Sequence, residues 1–140
     1  MNMTKNLDDF IAARRDVPFE YFRHDCAHIA ADWIIARTGK DPLADLRAAD
    51  APVGRKNLLA AMRVVRAAGG FLPAATARLG PSLPGAMAQR GDVVLARSGG
   101  KVGRVSGYSF GICTGSHIAA PAADRLVFLP LGAGVAAWRV

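Results

Sequence analysis

Three residue types that do chemistry near neutral pH fall within five positions of one another in His24-Asp25-Cys26-Ala27-His28, and Asp32 follows four residues later. Two further candidates, Cys113 and His117, stand apart from this cluster. A thiol is a nucleophile only once it ionises. A place in the first turn of a helix favours ionisation, because the helix N-terminus carries partial positive charge. Cys26 is therefore a candidate nucleophile. The competing reading is that Cys26 is simply a small buried apolar residue, a common fate of a free cysteine.

A base must reach the thiol proton, and an imidazole is the side chain tuned for that task. His28 is two residues beyond Cys26 on the same helix and points to nearly the opposite side. His24 precedes Cys26 by two positions and would have to fold back on a turn. His24, His28 and Asp32 share a helical stripe, but three ligands on one helix spread over about 12 Å, too far to converge on one ion. No metal or other cofactor is expected.

The element that must position this cluster reads as a helix with both ends marked. Asp25 suits the N-cap and Gly39 the left-handed position past the last turn. Between them Ala30, Trp33, Ile34 and Arg37 keep helical spacing, widened by Ile29 and Ala36. A first helix is expected over Leu7–Arg15, with Asn6 as its cap and Asp16-Val17-Pro18 as its stop. Phe19, Tyr21 and Phe22 are expected to pack beside the entry to the second helix. Asp41 and Pro42 open a short helical piece, Leu43 to Ala49, and a further helix spans roughly Arg55 to Ala68. Residues 71–90, rich in Ala, Pro and Gly, read as irregular with a short helix at Ala74–Arg78.

The last third changes character. Asp92–Ala96, Tyr108–Cys113, His117–Ala120, Leu126–Leu129 and Val135–Val140 read as strands of an antiparallel meander. Helices first and strands last predict an α+β domain, with N-terminal helices packed on a C-terminal antiparallel sheet. Trp33 and Trp138 are expected in the core.

Composition agrees with one globular domain over residues 1–140: 51% of residues are hydrophobic and the mean hydropathy is +0.19. No apolar run is long enough to span a bilayer. The first nine residues lack the basic and apolar regions of a signal peptide, so synthesis and retention in the cytoplasm are expected. Two cysteines are too few for a disulfide framework. A net charge of +7 and a pI near 10.3 imply attraction to polyanions. Yet fourteen of the eighteen basic residues are scattered Arg, and only Arg55, Lys56, Arg63 and Arg66 gather on one predicted helix. No aromatic platform interleaves with them, so nucleic acid is not the expected partner.

Two motifs carry a resemblance. Asp25-Cys26-Ala27 opens an apolar helix, and Arg90-Gly91-Asp92-Val93-Val94-Leu95 opens the sheet. Over about residues 20 to 120 the chain resembles the NlpC-type papain-like cysteine peptidases, in which the helix cysteine attacks peptide bonds of bacterial cell-wall stems. The resemblance implies a papain-like fold with Cys26 as nucleophile, and a cell-wall peptide as substrate if the chemistry is intact. Asp25 and Ala27 would orient the site, with backbone N–H groups of Cys26 or Ala27 meeting an oxyanion. One departure stands out. The family's His-apolar-small-Ile pattern falls on Ser109-Phe110-Gly111-Ile112, so Ser109 occupies the place of the base. His117, on the following strand near the family's third polar position, is the leading substitute, ahead of His24. The whole chain also resembles a branch of small proteins that accompany phage tail genes. That implies a structural or assembly component of a phage or prophage tail, with other tail proteins as partners and the virion tail as location.

Overall fold

Asp25 and Gly39 end the second helix as their residue types predict. Asp25, in extended backbone, accepts from the His28 N–H, and Gly39 at φ 76° donates its N–H to the Ile35 carbonyl. This is seen in a computed structural model, which describes residues 3–18, 25–44, 63, 65–97, 107–122 and 124–140, with side chains from residue 7 onward. The helices are α1 (Met3–Arg14), α2 (Cys26–Thr38) and α3 (Phe71–Leu79), and the strands are β1 (Leu83–Pro84), β2 (Val93–Arg97), β3 (Tyr108–Cys113), β4 (His117–Pro121), β5 (Leu126–Pro130) and β6 (Gly134–Trp138). Short 3-10 turns occupy Gly85–Met87 and Leu131–Ala133. The protein is α+β, with its helices in the first half of the described chain and a six-stranded antiparallel sheet in the second.

The sheet order is β1-β6-β2-β3-β4-β5. It is not the simple meander expected from sequence. β2 to β5 follow one another, but β6 returns to lie between β1 and β2, pairing Val93 with Trp138 and Leu83 with Ala137. β2 explains why. Val93 and Leu95 face the cluster that holds Phe10, Ile29 and Trp33, while Val94 and Ala96 face a second cluster with Cys113 and Ile118. A strand buried on both faces reads as an unbroken apolar run and needs a neighbour along each edge.

α2 is buried along most of its girth, through His28, Ile29, Ala30, Ala31, Trp33 and Ile34. Trp33 is the anchor. Its ring is fully enclosed, meets Phe10 of α1 edge-on at 5.3 Å, and donates its indole N–H to the Gly91 carbonyl at 2.8 Å. Trp138 is likewise core and donates to the Gly80 carbonyl at 3.0 Å. The Arg90-Gly91-Asp92 motif thus joins α2 to the mouth of the sheet. Asp92 Oδ2 accepts from the Gln89 N–H at 2.8 Å and from Arg139 Nε at 3.1 Å, and Arg90 bridges to Asp8 and to the Thr114 carbonyl. Asp32, half-exposed, stands 4.0 Å from Arg14, as a helix-face charge with an Arg partner.

Three boundaries differ from expectation. α1 starts at Met3, so Asn6 lies inside the helix and is not its cap. α3 runs from Phe71 to Leu79, longer than the Ala74–Arg78 piece expected, because Pro73 falls in its first turn, where no amide donor is needed. β1 went unforeseen. Its two residues are held by β6, some fifty positions away. Asp41 does cap locally, accepting from the Leu43 N–H at 2.9 Å. Most of the helical piece at 43–49, most of the helix at 55–68 (including Arg55 and Lys56), and the aromatics Phe19, Tyr21 and Phe22 lie outside the described residues. Among those described, no helix is long and apolar enough to cross a membrane.

Candidate functional site

Asp25 and His28 make a buried pair at the start of α2. Asp25 Oδ1 lies 2.7 Å from His28 Nδ1 and accepts the His28 backbone N–H at 2.8 Å. The imidazole is therefore engaged with its own cap. Replacing Asp25 with alanine removes both contacts. A loss of about 2 kcal/mol is expected, at the upper end of N-cap substitutions, and chemical denaturation checks it.

Cys26 follows the cap directly, partly buried, and its sulfur is held from β3. The Phe110 amide, the Ser109 hydroxyl and the Ala27 amide lie near enough to favour its charged form. Strand alternation explains the Phe110 contact. Thr114 donates to the His117 carbonyl and Ile112 pairs with Ala119, so even-numbered residues of this hairpin bond toward β4; Cys113 donates to Asp92, so odd-numbered ones bond toward β2. In that register Phe110 falls opposite Pro121, which has no N–H, and the β3–β4 pairing covers only Ile112↔Ala119 and Cys113↔Ile118. The Phe110 amide faces the Cys26 sulfur, and the Ser109 hydroxyl donates to the Phe110 carbonyl at 3.0 Å.

The electrostatics run against activation. Burial pushes the Cys26 thiol up, and the neighbouring Asp25 carboxylate adds to that push; the Phe110 amide, the Ser109 hydroxyl and the Ala27 amide pull the other way and do not win. This corrects the expectation drawn from the helix N-terminus alone. Desolvation on burial disfavours the charged thiolate.

The structure brings together some of the expected site residues and leaves others apart. Asp25, Cys26, Ala27 and Ser109 meet at the junction of α2 and β3. His117 does not reach them. It is exposed at the start of β4, its Nδ1 3.0 Å from the Ser116 hydroxyl. It stands opposite Thr114, five positions along β3 from Ser109, or about 17 Å at strand rise. Its place beside the β3–β4 turn sets it at the far end of the hairpin from Ser109. His24 lies outside the described residues. Ala27 contributes its amide to the sulfur itself. Cys113 is a free thiol on the other side of the sheet, buried with Val94 and Ile118. Among the described residues, no three His, Cys, Asp or Glu side chains gather as metal ligands.

Two participants went unread in the sequence. The Asp25–His28 pair had a visible signal, the i, i+3 spacing of a capping carboxylate and a donor. The Phe110 amide had none, since its role comes from where the β3–β4 pairing stops, at Ile112↔Ala119.

Fold and site together define an α+β domain in which a helix-borne thiol docks on a central strand of an antiparallel sheet. The chain belongs to a family described as a domain of unknown function (DUF6950), whose match covers residues 1–140. No curated protein matches it.

Proposed function

We propose that this domain is a papain-like scaffold of NlpC type that keeps the helix-and-sheet frame of a cysteine peptidase without its base. In this reading it serves as a structural or assembly component, in a phage or prophage tail, with other tail proteins as its partners. The observation that carries the reading is the group facing the Cys26 sulfur: the hydroxyl of Ser109, where the resemblance calls for an imidazole. A hydroxyl cannot take a thiol proton near neutral pH. The Asp25-Cys26-Ala27 and Gly91-Asp92 motifs supply the family frame, and the tail context follows the whole-chain resemblance.

Alkylation by iodoacetamide, in a Cys113→Ser background, tests the chemistry. The expected midpoint for Cys26 lies above the free-thiol value of about 8.5 and does not move on His117→Ala. A midpoint well below that value, shifting with His117, would reinstate the alternative, an active endopeptidase cutting cell-wall peptides, and peptidoglycan digestion would follow. Mass spectrometry of purified particles from a strain carrying the gene tests the tail assignment; absence of the chain from every particle overturns it.

The raised thiol also sets a stability trend. The folded state holds the proton to higher pH than the unfolded chain does. Cys26's contribution is therefore fully present below the unfolded thiol value and declines as pH rises from there through the folded value. Urea midpoints measured across that alkaline window are expected to fall more steeply for the parent than for Cys26→Ser.

A further inference from the structure

At the far end of α2 from Cys26, about 18 Å along the helix axis, a cleft of about 620 Å³ opens between the C-terminal ends of α2 and α3 and the residues that follow β6. Ile34, Leu79 and Trp138 supply its apolar wall, and Lys40 and Arg78 its charge. Asp41 is the acidic residue among those that line it. Basic residues near helix C-termini complement the helix field, and that suffices to explain why Lys40 and Arg78 are basic. It does not explain why the two meet at one cleft of ligand size with an apolar wall.

The Arg78 guanidinium is also held in position: its Nη1 donates to the Pro42 carbonyl at 2.9 Å, whereas the Arg139 guanidinium turns away to Asp92 and the Met87 carbonyl. Anchored forks are suited to carboxylate recognition, since less rotamer freedom is lost on binding. Volumes of this size match small-ligand sites lined by apolar walls and a few placed polar groups.

We propose that this cleft binds an amphipathic organic anion, a carboxylate carried on an apolar body, with Lys40 and Arg78 receiving the charge and Ile34, Leu79 and Trp138 the body. The two tryptophans give a built-in test. Trp138 lines the cleft, whereas Trp33 is sealed in the core. Their indole N–H signals in a 15N-labelled sample can be followed as 4-phenylbutyrate is added, with 4-phenyl-1-butanol as the uncharged counterpart and inorganic phosphate as an anion without an apolar body. The expected result is a saturable shift of the Trp138 signal with Trp33 unmoved, far weaker responses to the alcohol and to phosphate, and about tenfold or greater weakening in Lys40→Gln/Arg78→Gln. An immobile Trp138 signal overturns the proposal. So does equal affinity for the alcohol or for phosphate, or a double variant that binds as tightly as the parent. If the double variant displaces the Trp33 signal and so reports a disturbed core, Lys40→Gln alone decides: Lys40 is exposed, and unchanged affinity there overturns the charge assignment.

Discussion

Ser109→His is expected to turn a quiet thiol into a reactive one. Position 109 already lies within hydrogen-bond reach of the Cys26 sulfur, so an imidazole there sits beside the proton it must take. Thiols paired with histidine titrate at about 3.5–7.5, against about 8.5 for a free one. The alkylation midpoint in the Cys113→Ser background should therefore drop by more than a pH unit, with the rate at pH 7 rising about tenfold or more. Ser109 is 1% exposed and opposite Ala96 on β2, so the larger ring must be accommodated in a tight space. Ser109→Ala provides the complementary test without that demand. It removes a hydroxyl whose nearness favours the thiolate, so the midpoint should rise further. A folded Ser109→His protein whose thiol titrates as before, together with a Ser109→Ala protein indistinguishable from the parent, would show that residue 109 has no hold on the sulfur.

Gly85→Ala is expected to be the most damaging small substitution in the sheet. A methyl group on Gly85 would overlap the Gly134 carbonyl and stand 2.8 Å from the Val135 amide nitrogen. Those are backbone atoms of β6, fixed by pairing to β1 on one side and β2 on the other. No side chain can rotate away to make room. The alternatives are to detach β1 or to push β6 off β2, and the second exposes Trp138 and Ala137. A loss of about 3 kcal/mol is expected, the upper end of overpacking costs, equivalent to a fall in Tm of roughly 10 °C for a chain of this size. Thermal unfolding followed by circular dichroism measures it. Gly132→Ala, where no atom stands within 4 Å of the added methyl, is the matched control and should be nearly silent.

What was legible in the sequence was local. α2 could be read from end to end because its cap, its apolar spacing and its terminal glycine all lie within fifteen residues. Tyr108–Cys113 was placed to the residue, because Gly107 and Gly115 bracket a run of strand formers. The rest depended on partners far along the chain. β1 is a strand only because β6 comes back to it. Cys26 looked like an activated thiol because the helix field is visible in the sequence, whereas the wall of β3 that desolvates it is not. His117 looked available because it shares a hairpin with Ser109. The strand register that carries it to the opposite end of that hairpin follows from where the Thr114–His117 turn closes.

The placement of β6 also governs the order in which this sheet can be assembled. The β3–β4 and β4–β5 hairpins close over short stretches and can form early. The β2–β6 ladder joins Val93 to Trp138, forty-five positions apart, and so must await a much larger loop closure. Until it does, β2 presents one unpaired edge while its apolar side chains on both faces are incompletely covered. That interval is when the nascent chain is most open to association with other strands, including another copy of itself. Any change that delays docking of residues 134–138, even one neutral in the finished fold, should appear first as lost soluble yield.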